Sequence, residues 1–296
     1  MVQRLPLIAA LVIIELAIVG GMFIAIRGGA PTGWSFNRHV THEADHGSGS
    51  GSSYSFVTGT APELTIDVGY ADVAIVTRSA GNIDVNVPGD ELPSFMGALA
   101  PITATADGDS VHIIAAKGHW SMFGDPRVVH ITVPLATRVT IENAGNISAT
   151  GLRAAATLSS VRGDITVDDF NAAALHLTAS DGHMTLHEIV ADQLDATSSN
   201  GHVEATGLQV RDGSIISDNG RITLGFRPGA DTLVSAATSN GKIKVSGLDA
   251  GAAVRSGGGD DDDDDDANSR TVRVGAGEGR LDVHASNGNI NLNQEG

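Results

Sequence analysis

The chain contains no cysteine, and aromatic residues make up only 4% of its 296 positions. Without cysteine there is no disulfide framework, no thiolate-held zinc and no thiol chemistry, and the redox compartment is left open. Without large rings the core has to be built from Val, Ile, Leu and Ala, which suits thin stacked layers. A basic stripe with interleaved aromatics is missing too, and the net charge is −17. An acidic surface repels phosphate backbones, so no nucleic-acid partner is expected. Seven of the negative charges form one run, Asp260–Asp266, and setting them aside still leaves −10. Catalytic signatures are also lacking: there is no nucleophile elbow, no His-Glu-x-x-His, no P-loop and no dinucleotide fingerprint. Gly275-Ala276-Gly277-Glu278-Gly279 has the wrong glycine spacing for the last of these.

What the chain has is a phrase repeated. It reads Asn143-Ala144-Gly145-Asn146-Ile147, then Val161-Arg162-Gly163-Asp164-Ile165, then Ser180-Asp181-Gly182-His183-Met184. It returns as Ser199-Asn200-Gly201-His202-Val203, Asp218-Asn219-Gly220-Arg221-Ile222 and Ser239-Asn240-Gly241-Lys242-Ile243, and a last copy is Ser286-Asn287-Gly288-Asn289-Ile290. From Gly145 to Gly241 the glycines step by 18, 19, 19, 19 and 21 residues. A fixed period of this size signals a solenoid or an array.

Aligned on the glycine, the copies alternate. Two residues on stand Ile147, Ile165, Met184, Val203, Ile222, Ile243 and Ile290; four on stand Ala149, Val167, Leu186, Ala205, Leu224, Val245 and Leu292. Polar residues such as Thr166, Thr185, Glu204, Thr223 and Lys244 lie between them. This is a strand with one buried face. A third apolar residue recurs seven after the glycine (Leu152, Phe170, Ile189, Leu208, Leu248), with Phe226 one place early. Upstream, Leu175-Leu177-Ala179 and Leu194-Ala196-Ser198 mark a second strand that ends at the turn. Each repeat reads as strand, glycine turn, strand, corner. Glycine fits such a turn because it enters positive φ without steric cost, and Asn or Asp tolerates that region better than most residues. One repeat cannot bury its apolar side alone; stacked about 4.8 Å from its neighbours it builds parallel sheets around an aliphatic core. Asn200, Asn219, Asn240 and Asn287 would then lie near one another as an amide ladder or as turn formers, and turn formation suffices to explain them. Because Asn-Gly also makes two-residue hairpins, a sandwich-like meander is the rival architecture. The near-constant step favours an all-β, single-stranded β-solenoid of ~19-residue repeats.

The flanks divide the chain. Leu5 to Ile26 is a 22-residue apolar run between Arg4 and Arg27. At about 1.5 Å per residue it reaches roughly 33 Å, enough for a hydrocarbon core of about 30 Å. It is longer than a usual secretory h-region, and no small-x-small site follows, so residues 1–27 are expected to be an uncleaved N-terminal transmembrane helix. Glu15 near mid-span reads either as a helix–helix contact or as a tolerated acid. Residues 28–53 form a flexible Gly/Ser/His linker in which His39, His42 and His46 could hold a metal only if the segment were ordered. The solenoid body is expected over 54–296, broken by a Pro-rich loop at 88–101, by a cap carrying Trp120, Met122 and Phe123, and by an Asp-rich loop at 255–270. The aspartate run lacks EF-hand order and reads as a solvated, self-repelling segment.

The nearest approach to chemistry is a set of histidines, His176, His183, His187 and His202. His183 and His202 follow their glycines on successive repeats, so stacking sets their side chains about 5 Å apart. A stacked surface pair is the expectation; no catalytic, cofactor or metal site is assigned.

The run Val129-His130-Ile131-Thr132-Val133-Pro134, followed by Val139-Thr140-Ile141-Glu142-Asn143-Ala144-Gly145-Asn146-Ile147 and Gly151-Leu152, resembles the bacterial "putative adhesin" domain of unknown function. So do the serial Ser-Asn-Gly-x-Ile phrases and the ending Gly277-Glu278-Gly279-Arg280-Leu281-Asp282-Val283-His284-Ala285-Ser286-Asn287-Gly288-Asn289-Ile290. The resemblance covers roughly residues 60–295. It implies a β-solenoid-like, non-enzymatic, often membrane-tethered domain of the cell envelope, and it carries across no catalytic or binding residues. The functional expectation is an extracytoplasmic interaction or scaffold module, anchored in the cell membrane by its N-terminal helix. Its Thr166, Thr185 and Thr223 face would meet an envelope protein or a glycan. A self-associating polymer and a carbohydrate-active enzyme are the alternatives, and oligomeric state is left open.

Overall fold

The computed structural model describes residues 51–79, 81–89, 101–115, 127–248 and 269–295. The apolar N-terminal run with Glu15, His39, His42 and His46, most of the 88–101 loop, Trp120, Met122, Phe123 and Asp260–Asp266 lie outside the described residues.

Every regular element among the described residues is a strand. Three of them, β11 (Ile165–Asp181), β12 (Met184–Asn200) and β13 (Val203–Asn219), are 17-residue runs that each make a full turn. Such a run leaves a glycine corner, crosses one sheet, bends at a far corner and crosses a second sheet to the next glycine. Neighbouring turns pair in parallel with a 19-residue offset, as in Thr166↔Thr185↔Glu204 and His176↔Asp195↔Ser214. The shorter strands fill the same two sheets. One sheet enters the glycine corner and contains β2 (Glu63–Asp67), β6 (Ser110–Ala115), β8 (Arg138–Ala144), β10 (Ala156–Ser160), β15 (Thr232–Asn240) and β18 (Gly279–Asn287). The other leaves it and contains β3 (Asp72–Arg78), β7 (Val128–Pro134), β9 (Ile147–Thr150), β14 (Ile222–Phe226), β16 (Ile243–Ser246) and β19 (Ile290–Gln294).

The alternation read from the sequence is the burial pattern. Ile165, Val167, Met184, Leu186, Val203, Ala205, Ile222 and Leu224 are buried, and so are Leu152, Phe170, Ile189, Leu208 and Phe226 at the far corner. Each large aliphatic side chain removed from water contributes about 1.5–3 kcal/mol, so the narrow core is sustained by repetition along the stack. The meander is excluded: the glycine copies line up in one column and the repeats pair in parallel.

Two departures from chain order close the stack. The last repeat, β18–β19, is inserted between β13–β14 and β15–β16, with Gly213↔Leu281 on one side and Val234↔Leu281 on the other. At the opposite end β2–β3 lies between β6–β7 and β8–β9. Three of the four sheet edges at the ends are finished by antiparallel strands, and among the described residues β16 pairs on its β19 side alone. β5 (Ile102–Asp107) covers β6, and β17 (Ser269–Val274) covers β15. β4 (Asn82–Val87) covers β7, and β1 (Ser52–Val57) covers β4. The sequence reading left β5 out, although Ile102-Thr103-Ala104-Thr105 alternates as a strand should.

Candidate functional site: the glycine corner

The seven glycines of the repeated phrase form a column in the order Gly145, Gly163, Gly182, Gly201, Gly220, Gly288, Gly241. A Cβ on any of the last six would fall well inside van der Waals contact with the backbone of the glycine below. None of the seven has positive φ. This corrects the sequence reading: the corner demands glycine because successive backbones touch there, not because the chain turns left-handed. Positive φ belongs instead to the far corner, at Gly151 (77°), Asp169 (55°), Glu188 (53°), Gly207 (67°) and Gly247 (69°), each six residues after its glycine.

Close approach leaves backbone carbonyls facing inward, and small hydroxyls satisfy several of them. Ser160 Oγ donates to Gly145 O at 2.8 Å, Ser217 Oγ to Gly201 O at 3.1 Å and Thr238 Oγ1 to Gly288 O at 2.9 Å. These hydroxyl residues are buried, in a core that is otherwise aliphatic.

Outside the column two ladders run along the corner. Before each glycine, Asn200 Nδ2 donates to Asp181 Oδ1 (2.9 Å), Asn219 Nδ2 to Asn200 Oδ1 (3.0 Å), Asn287 Nδ2 to Asn219 Oδ1 (2.9 Å) and Asn240 Nδ2 to Asn287 Oδ1 (2.9 Å). The amide ladder is therefore real, and turn formation is not the whole explanation of these residues. After each glycine, a side-chain acceptor takes the backbone N–H of the next rung. Asn146 Oδ1 accepts from Asp164 N (2.9 Å), Asp164 Oδ1 from His183 N (2.7 Å), His183 Nδ1 from His202 N (2.9 Å) and His202 Nδ1 from Arg221 N (2.9 Å). Arg221 has no acceptor to offer, and the series resumes where Asn289 Oδ1 accepts from Lys242 N (2.9 Å). At that interruption lies a surface depression of about 350 Å³ lined by His202, Asn219, Gly220, Arg221, Asn287, Gly288 and Asn289.

Of the four histidines, the fold brings two together. His183 and His202 stack with ring centroids 5.0 Å apart and planes 14° from parallel. His176 and His187 are held apart from that pair by carboxylates of their own: His176 Nδ1 lies 3.2 Å from Asp195 Oδ2, and His187 Nδ1 lies 2.9 Å from Asp168 Oδ1. The hydrogen bond to Asp168 raises the His187 pKa above its ordinary value, against a smaller lowering by desolvation. Among the described residues no three His, Asp or Glu side chains converge as a metal site would require. Beside the corner, Ser148, Thr166, Thr185, Glu204 and Thr223 line up in register on the exposed face of the second sheet.

A family model, Toastrack DUF4097, matches residues 61–293, the whole stack from β2 into β19. The chain belongs to that family. Within the Toastrack DUF4097 body, all the corner residues described above fall inside the match. Two solved structures are similar in fold. A putative adhesin from Bacteroides fragilis is 13% identical, with 83% of this chain and 97% of that one covered at a TM-score of 0.48. A putative cell adhesion protein from Clostridium sporogenes is 12% identical, with 83% and 100% covered at 0.38. No curated protein matches the chain.

Proposed function

We propose that this Toastrack DUF4097 chain is a non-enzymatic, membrane-anchored, extracytoplasmic interaction module of the cell envelope. The observation that carries the reading is the exposed face beside the glycine corner. Its side chains repeat at the strand spacing, are almost all polar, and at the corner are bonded rung to rung, so the surface is fixed before any partner arrives. A pre-ordered surface loses little conformational entropy on binding. Catalysis gains no comparable support: the ring nitrogens of His183 and His202 that face the backbone are engaged as acceptors of backbone N–H groups, and neither ring is paired with a carboxylate among the described residues. Polymer growth by end-to-end stacking is opposed at three of the four terminal sheet edges by antiparallel strands, which do not present the parallel rung that a next copy would have to continue.

The test is capture. Residues 54–296 displayed on glycan arrays and used in envelope pull-downs should retain a partner that a variant with a scrambled Thr166/Thr185/Thr223 face does not. Equal recovery by both, or recovery of nothing by either, rejects the reading.

A further inference from the structure

The ladder after each glycine has a chemical consequence. A backbone N–H can only donate, so every side chain that receives one must present an acceptor inward. For Asn289 that consumes the carbonyl oxygen and turns the NH₂ outward. For His183 and His202 it consumes Nδ1, which fixes the neutral ring as the Nε2–H tautomer with that N–H directed away from the backbone. Arg221 between them has donors only. Four consecutive rungs, carrying His183, His202, Arg221 and Asn289, therefore present donors at the same place on the corner. Below His183 the series changes sign at Asp164, whose second carboxylate oxygen faces outward as an acceptor.

Arg221 is exposed and lies within 4 Å of no carboxylate oxygen among the described residues, whereas Arg138, Arg153, Arg227 and Arg280 each have one. It stands beside the 350 Å³ depression. At about 4.8 Å per rung the four positions span roughly 14 Å. The net charge of −17 does not cancel this strip, since exposed charges more than about 8 Å away are largely screened at physiological salt. On the glycine-preceding side the strip is bordered by the amide row Asn219 and Asn287, and exposed Glu204 and Asp218 stand farther along their strands.

We infer that the strip His183–His202–Arg221–Asn289 binds a linear acidic glycan, a chain of sugars bearing carboxylates, laid along the corner with a carboxylate at Arg221. This rests on the interaction-module reading and names the ligand class for it. The ligand has to be acceptor-rich because the strip offers donors alone. It has to be extended because the donors are spread over four successive rungs.

The experiment titrates the full chain in detergent with tetragalacturonate, with uncharged maltotetraose and with inorganic phosphate, by calorimetry at low and at raised salt. Tetragalacturonate is expected to bind, more weakly as salt rises, with maltotetraose and phosphate at least tenfold weaker. Arg221→Gln and His202→Asp should each lower the affinity at least tenfold. His202→Asp keeps the inward acceptor, as Asp164 does one rung from His183, so its thermal unfolding should match the parent. His202→Asn, which keeps both acceptor and donor, should bind as the parent does and covers the case in which the aspartate variant fails to fold. Absence of tetragalacturonate binding, or binding that ignores both Arg221→Gln and His202→Asp, overturns the inference. So does phosphate binding as tight as that of the oligomer, which would mark a single-anion site. Capture of an uncharged glycan or a protein by the Thr166/Thr185/Thr223 face, with no anion binding, would leave the module reading standing and remove the strip from it.

Discussion

At the glycine corner a single methyl group on Gly201 would collide with the carbonyl of Gly182, yet six residues after Gly182, at the far corner, Glu188 holds a full side chain at φ 53°. Both corners recur once per turn, and both use glycine in several copies. At the first, the constraint is the distance between successive backbones, and no other residue meets it. At the second, the constraint is handedness. Glycine meets that freely, while Asp169 and Glu188 meet it at a cost of roughly 1–2 kcal/mol each. Those two also form ion pairs, Asp169 with Arg153 at 2.5 Å and Glu188 with Arg227 at 3.7 Å, which offset little of that cost because all four side chains are exposed to solvent. The same residue type in one repeat thus answers two different physical demands, and only one of them is strict.

Substitution tests that contrast most sharply. Gly201→Ala should be the most damaging single change: the colliding atoms are backbone on both sides, so the rungs must separate, and a loss of about 3 kcal/mol or more is expected in urea unfolding. Gly207→Ala at the far corner should cost only about 1–2 kcal/mol, the handedness penalty, because its nearest obstacle is the flexible Glu188 carboxylate. If the two losses came out equal, the distinction between the corners would collapse. Glu188→Gly reverses the sign, with a gain of at most about 1 kcal/mol once the exposed ion pair is given up. The smallest effect concerns charge. His187 has a raised pKa in the folded state, so its pairing with Asp168 stabilises fully below the unfolded value and is lost as pH rises through the folded one. With side chains about half exposed, the thermal midpoint should fall only slightly across that window, and Asp168→Asn should reduce that pH dependence and lower the His187 titration seen by NMR, Glu188 and Glu295 supplying what remains.

The course of one turn was legible in the sequence because it depends on local alternation. Leu175, Leu177 and Ala179 point inward and His176 and Thr178 outward, as period two requires. The His183–His202 stack was legible too, since a one-repeat offset between equivalent positions fixes their neighbourhood. Three things were not. The reason for glycine was misread because turn chemistry and backbone contact favour the same residue, and only the register separates them. The donor character of the strip was hidden because it depends on which nitrogen or oxygen of His183, His202 and Asn289 faces the backbone. The order of rungs at the ends was hidden because β18 carries the same inward Leu281, Val283 and Ala285 pattern as any other turn, and nothing local says that it packs on Gly213 and Ile215. The far corner had left a faint signal: Gly151, Asp169, Glu188, Gly207 and Gly247 are the residue types that most often accept a left-handed backbone, save for Glu188.

The inserted last turn sets the order of events as the chain leaves the ribosome. Turns from β11 to β14 can pile up as they emerge, each meeting a partner 19 residues back. The next, β15–β16, has no seat of its own until residues 279–294 arrive, because Asp212 pairs with Arg280, 68 positions later. Closing that longer loop costs only about 1 kcal/mol more than a 19-residue one. The delay is the larger matter: a half-made molecule exposes two unfilled sheet edges until residues 279–294 have emerged, so the seat for β15–β16 is made by chain that follows it.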